Sequence, residues 1–180
     1  MTLLDRIKEN MFGLERGISD VVPGYKGYKQ KELRREADKL LRETITARMR
    51  TVKTHLDSLG QDLIAAGKYD LLDEVGSAAT QLQTFIDRVR TASYGYGGLF
   101  DAVRVKEEDL DRLYQFDATL MDYVERIENV ISSTREGIEG EDAKSRLLLV
   151  RDLTREANTT LDQRRETIEG TYDVGTAPSL

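Results

Sequence analysis

Apolar residues recur in steps of three and four along most of the chain. The longest such stretch covers about residues 29–66 and contains Leu33, Ala37, Leu41, Ile45, Met49, Val52, Leu56, Leu59 and Leu63. This spacing places the apolar side chains on one face of an α-helix. A stripe of this length is typical of a helix that packs against other helices.

The same spacing predicts helices over about residues 2–20, 70–92, 106–137 and 141–169, and no segment shows a strand pattern. Short connections at 67–69 and 137–140 favour antiparallel neighbours. We therefore expect an all-α protein: an antiparallel up-down-up-down bundle of four long helices plus an N-terminal amphipathic helix. The expected domains are 1–22 (the amphipathic helix), 23–170 (the bundle) and 171–180 (a flexible tail).

Two segments rich in glycine and tyrosine interrupt the helical pattern. The first Gly-Tyr segment is residues 23–28 and the second is residues 94–98. Glycine and proline disfavour a helix interior by about 1 and 3 kcal/mol, so each segment should break a helix. In a bundle of alternating helices, both segments lie at the same end.

Two interpretations of these segments remain open: a cap on the core, or a surface that binds a partner. Glycine allows close backbone approach and tyrosine is common at interfaces. The candidate partner-binding residues are Pro23, Gly24, Tyr25, Lys26, Gly27, Tyr28, Tyr94 and Tyr96.

The inventory of reactive side chains is small. The chain of 180 residues has no cysteine and one histidine, His55, which excludes disulfides and thiolate chemistry and disfavours a metal site. His55 lies beside the apolar stripe, and we expect it to be partly buried and hydrogen-bonded. No phosphate-binding loop or nucleophile motif is present. The sequence predicts no cofactor, no metal and no enzymatic activity.

The charge is unevenly distributed along the chain. The net charge is −6, yet residues 26–53 carry ten Lys and Arg against four acids. This basic stretch indicates either a face for polyanions or a helix neutralised by its neighbours. Nucleic acid is an improbable partner because the chain is acidic and lacks a recognised nucleic-acid-binding pattern.

Arg48 lies near the middle of the longest predicted helix, on or beside its apolar face. A charge in that position must be paired or must reach water along its own stem. We expect a structural ion pair between Arg48 and Asp122, Glu125 or Glu156; an anion site within the bundle is the alternative.

Residues 1–11, MTLLDRIKENM, resemble the amphipathic N-terminus of phage-shock membrane-remodelling proteins. The resemblance implies attachment to membrane surfaces, but it covers one helix, and the two glycine-rich breaks depart from that family. No apolar run reaches the roughly 20 residues that span a bilayer, and no signal-peptide pattern is present, so we expect a cytoplasmic location.

The leading functional expectation is a non-enzymatic interaction or scaffold protein that binds a protein partner through its Gly-Tyr loop end. The alternative is a peripheral protein on an anionic membrane surface, attached through the N-terminal amphipathic helix and the basic second helix. The sequence leaves the oligomeric state open.

Overall fold

A computed structural model describes residues 13–92, 98–137, 140 and 142–170. Helix α1 is described over residues 13–21. It is followed by α2 (Lys31–Ala65), a 3-10 turn (Tyr69–Leu71), α3 (Leu72–Thr91), α4 (Glu107–Glu136) and α5 (Ala143–Glu169). The described residues contain no β-strand, which confirms the predicted all-α class.

The helix boundaries follow the signals in the sequence. Helix α2 ends where Gly67 takes a positive φ of 71°. There Gly67 N–H donates to Ile64 O at 3.1 Å and Lys68 N–H donates to Leu63 O at 2.9 Å, which is the Schellman arrangement. Three acids occupy the first turn of α4, where the helix dipole favours negative charge.

The chain forms two compact units. Unit 1 comprises residues 1–44, 92–119 and 160–180, and unit 2 comprises residues 45–91 and 120–159. Helices α2, α4 and α5 each contribute residues to both units, whereas α3 belongs to unit 2. The domain boundaries at residues 22 and 170 stay predictions.

Each unit has its own buried apolar residues, drawn from the predicted stripes. Those of unit 1 include Ile18, Val22, Ala37, Leu41, Leu99, Phe100, Leu113 and Ile168. Those of unit 2 include Ile45, Met49, Leu56, Leu82, Phe85, Val124, Ile127 and Leu153. The candidate site described below lies in unit 1, among residues from four separate stretches of chain.

Polar contacts in unit 2 join α2 to α4 and α3 to α5. The α2–α4 contacts are Arg48–Glu128 at 2.5 Å and Asp62–Arg135 at 3.3 Å. The α3–α5 contacts are Glu74–Lys144 at 2.9 Å and Arg88–Asn158 at 2.5 Å.

The expectation for His55 is wrong, since its side chain is exposed. His55 lies at a seven-residue interval from Arg34, Leu41 and Arg48, but an α-helix drifts by roughly 20° per seven residues. Accordingly Arg34 and Leu41 are buried, Arg48 is half-buried and His55 faces solvent. In the part of the chain that the structure describes, no helix is long and apolar enough to cross a bilayer.

Candidate functional site

The first Gly-Tyr segment leaves α1 in a tight path that depends on its two glycines. Gly24 and Gly27 have positive φ values of 80° and 74°. This path buries Tyr25 and Tyr28, which are 5% and 0% exposed, while Pro23, Gly24 and Lys26 remain at the surface. The segment therefore buries its two rings and leaves Pro23, Gly24 and Lys26 at the surface.

The buried rings form an aromatic cluster centred on Tyr28. Its ring lies 5.7 Å from Tyr25 in a T-shaped arrangement, 5.9 Å from the stacked ring of Phe100 and 5.3 Å from Tyr114. Such pairs add roughly 0.5–1.5 kcal/mol each beyond the burial of their area. These contacts support the cap interpretation for the first segment.

Beneath the rings, a buried arginine joins three elements. Arg164 of α5 donates from Nε to Asp117 Oδ1 at 2.5 Å and from Nη2 to the hydroxyl of Tyr28 at 3.0 Å. Its Nη1 lies 2.8 Å from Asp38 Oδ1 of α2. Tyr28 Oη in turn donates to Asp117 Oδ2 at 2.5 Å. We call Asp38, Asp117, Arg164 and Tyr28 the buried network.

The charges of the buried network are balanced once the neighbouring Arg42 is included. The side chains of Arg164, Asp38 and Asp117 are 1%, 4% and 0% exposed, and Arg42 donates to Asp38 at 2.9 Å from the partly exposed side. Two carboxylates therefore face two guanidinium groups. Buried ions are tolerated only when they are paired and hydrogen-bonded in this way.

Burial controls the proton affinities in the network. It raises the pKa of Asp117, while the positive charge of Arg164 opposes that rise. Burial also raises the pKa of Tyr28 well above its usual value, and the negative charge of Asp117 adds to this effect. The phenol of Tyr28 therefore remains a hydrogen-bond donor.

A second buried cation, Arg34, connects the first Gly-Tyr segment to residues 98–102. Its Nε donates to Tyr28 O at 2.8 Å, and its Nη1 donates to Leu99 O at 3.0 Å and Ala102 O at 2.9 Å. Arg34 is 4% exposed, and burial lowers its pKa. One side chain thus donates to three carbonyl groups that lie outside the helices and so have no partner in a helical hydrogen-bond pattern.

Close backbone packing fixes the two segments further. The N–H of Tyr28 donates to Tyr114 Oη at 2.8 Å. A Cβ on Gly27 would lie 2.5 Å from that same oxygen. Leu99 N–H donates to Ile168 O at 2.8 Å, and a Cβ on Gly98 would collide with this carbonyl.

The structure separates the candidate residues into three groups. Tyr25, Gly27 and Tyr28 are buried, whereas Pro23, Gly24 and Lys26 are exposed. Tyr94 and Tyr96 lie outside the described residues, so the expected meeting of the two Gly-Tyr segments stays a prediction.

Sequence reasoning did not single out Asp38, Asp117 or Arg164. The available signal was a charge within an apolar stripe. Arg164, for example, falls three residues after Leu161 and four before Ile168, both of which are buried.

Arg48 contacts Glu128 and not the three acids expected from the sequence. Its Nε donates to Glu128 Oε1 at 2.9 Å and its Nη2 donates to Oε2 at 2.5 Å. The hydrogen bonds with Glu128 raise the pKa of Arg48. Both side chains are about one-third exposed, so the pair stabilises the fold by about 1 kcal/mol or less.

The basic face of α2 has acidic partners along its length. Arg35 contacts Asp101 at 2.6 Å, Lys39 contacts Glu43 at 3.8 Å and Lys53 contacts Asp57 at 2.8 Å. Much of the charge that suggested a polyanion-binding face is therefore neutralised within the protein.

The described residues offer little for metal or small-molecule chemistry. Among them, no three His, Cys, Asp or Glu side chains are grouped so that they could hold a metal ion. An open cleft of about 500 Å³ is lined by Asp109, Arg112, Phe116, Gln163, Glu166, Thr167 and Gly170.

Comparisons with protein-family models, with curated proteins and with solved structures find no match for this chain.

We predict that Asp117→Asn lowers the free energy of unfolding by about 3 kcal/mol, because it leaves Arg164 buried with part of its charge unpaired. The matched control is Asp122→Asn on the same helix. Asp122 is 63% exposed and contacts Arg126 at 3.7 Å, so this change should cost less than about 1 kcal/mol. Urea unfolding measures both; equal losses would contradict the role given to the network.

The glycines of the first segment provide a second matched pair. Both Gly24→Ala and Gly27→Ala force a side chain into a positive-φ conformation, which costs about 1–2 kcal/mol. At position 24 the new Cβ meets only Leu40 Cδ1 at 3.5 Å, whereas at 27 it displaces Tyr114 Oη. Thermal unfolding should show Gly27→Ala as the more destabilising by about 1–3 kcal/mol. An equal effect would argue against this close approach.

The buried tyrosines predict instability at high pH. Burial raises the pKa values of Tyr25, Tyr28 and Tyr114 above the usual 10.0, so the folded protein keeps protons that the unfolded chain releases. Their contribution to stability is complete below about pH 10 and falls as the pH rises further. On alkaline titration the tyrosinate absorbance of these three residues should therefore appear together with the loss of helical circular dichroism, with the urea-unfolded chain as reference. Ionisation of all the tyrosines without loss of helix would refute this.

Proposed function

We propose that this protein is a non-enzymatic interaction or scaffold protein that binds a protein partner through one surface of unit 1. We call this surface the rim and define it as Pro23, Gly24, Lys26, Val103 and Arg104. One observation carries the proposal: the rim stands on two irregular segments that buried side chains hold in a fixed conformation, while its own residues are exposed.

Arg34 brings the two parts of the rim together. Its guanidinium group binds both Tyr28 O and Ala102 O, so the segment that follows Lys26 lies beside the one that leads to Val103. Val103 is 60% exposed, although it directly follows the fully buried Ala102. A surface already ordered before binding loses little conformational entropy when a partner docks.

In this proposal the exposed neighbours of the tyrosine rings form the binding surface, and the rings themselves do not contact the partner. Tyr28 contacts Phe100 and Tyr114 and donates to Asp117, and Tyr25 packs against Tyr28, so the two rings support the rim. Loops that a rigid scaffold holds in position are common sites of recognition.

A non-enzymatic role is favoured by the environment of the ionisable side chains that lie closest together. Asp117, Arg164 and Tyr28 have the proximity expected of catalytic groups, but all three are 0% exposed. A substrate would have to unfold part of unit 1 to reach them. The hydrogen bonds among these three side chains stabilise the fold of unit 1, and this structural role is enough to account for them.

For the bundle itself we propose the antiparallel up-down-up-down order. In unit 2 the α2–α4 contacts pair 48 with 128 and 62 with 135, so residue numbers rise together along the two helices. The α3–α5 contacts pair 74 with 144 and 88 with 158 in the same manner. Helices two apart in sequence that run in the same direction support alternation between consecutive ones.

Photo-crosslinking tests the proposed surface directly. A benzophenone side chain introduced at position 26 or 103 should give discrete protein adducts in an extract of the native cells. The same group at position 50 or 64, which replaces the exposed Arg50 or Ile64 of unit 2, should not give them. Indistinguishable adduct patterns at all four positions, or none at 26 and 103, would reject the rim as a binding surface.

A further inference from the structure

We infer that the rim recognises an acidic protein segment in which apolar side chains accompany the acids. This inference rests on the proposed function and adds the chemistry of the partner. It is drawn from the charge, the exposure and the neighbours of the rim residues.

The segments that form the rim are strongly basic within an acidic protein. Residues 23–35 and 98–106 contain seven Lys and Arg and only two acids, whereas the whole chain has a net charge of −6. Arg34 is buried, and Arg35 contacts Asp101. Lys29 contacts Glu15 at 3.4 Å. The charge left at the surface comes mainly from Lys26, Lys31, Arg104 and Lys106. A partner with negative charge is complementary to it.

Apolar groups accompany these cations. Val103 is 60% exposed and Val21, at the end of α1, is 44% exposed; they are the exposed large apolar residues of the described part of unit 1. Pro23 is also exposed between Val21 and Lys26. A partner that offered only negative charge would leave these apolar side chains in water. A segment that alternates acids with apolar residues would contact both the cations and the apolar side chains.

The acids beside the rim favour an extended peptide over an anionic membrane as the partner. Lys106 directly precedes the first turn of α4, which carries Glu107, Glu108 and Asp109. A flat anionic membrane brought against Lys106 would also meet these acids, which would repel it. An extended peptide can follow the basic residues without covering that turn.

Among the described residues, those that form the rim offer no aromatic ring on which the bases of a nucleic acid could stack. The rings of Tyr25 and Tyr28 are buried in the aromatic cluster, and the rim as defined contains no aromatic residue. Single-stranded nucleic acids gain much of their affinity from bases stacked on exposed rings. The charge of the rim is therefore better matched by acidic side chains.

Fluorescence anisotropy tests the inference with a labelled peptide of repeating Glu-Glu-Leu units. The full-length protein should bind it about tenfold more tightly than a Gln-Gln-Leu peptide of equal length, and added salt should weaken the binding. The double variant Lys26→Glu, Arg104→Glu should lose about tenfold in affinity. The control Arg50→Glu, Arg90→Glu makes the same charge change at exposed positions of unit 2 and should leave the affinity unchanged.

Three results would overturn the inference: equal binding of the two peptides, equal affinity of the two double variants, or absence of peptide binding. Vesicles of phosphatidylcholine and phosphatidylglycerol provide the competing probe. Vesicle binding that is lost in Lys26→Glu, Arg104→Glu would identify a lipid surface as the occupant instead. Adducts at positions 26 and 103 without binding of the acidic peptide would keep the proposed function and reject only the partner chemistry.

Discussion

The ion pairs of Arg164 are the interaction on which the organisation of unit 1 depends. A guanidinium group with 1% exposure would be strongly unfavourable alone, and it persists because Asp38, Asp117 and Tyr28 all bind it. These partners come from α2, α4 and the first Gly-Tyr segment. A shift of α2 or α4 relative to α5 would separate Asp38 or Asp117 from Arg164, so the network favours the observed register.

Arg34 provides hydrogen-bond donors for buried backbone carbonyl groups. Residues 23–28 and 98–102 carry carbonyl groups that are buried but outside regular helix, and such groups destabilise the fold unless they find donors. The planar guanidinium can serve several acceptors at once, which a lysine ammonium on a flexible stem does less well. The three hydrogen bonds of Arg34 therefore tie the two irregular segments to each other and to α2.

The sequence predicts the helices well because their stability arises from a periodic apolar face. The spacing of residues such as Leu41 and Leu56 shows that face directly in the sequence. The sequence also locates the chain breaks at Gly24 and Gly67, whose positive φ values require glycine. The network was not predicted, because which charges meet depends on helix register. Arg48 shows the same limit: an ion pair was foreseen, but the acid that it contacts is Glu128, one turn beyond Glu125.

The burial of Tyr25 and Tyr28 bears on how such a segment can take part in binding. An exposed aromatic loop would recognise partners through its rings, but it would have to be ordered on each encounter. Here the buried rings stabilise the segment from inside the protein. The residues that remain at the surface are few, basic and only slightly apolar. Recognition through such a surface should depend on complementary charge more than on buried area. For the acidic partner proposed above, affinity should then be moderate and should fall as salt is added.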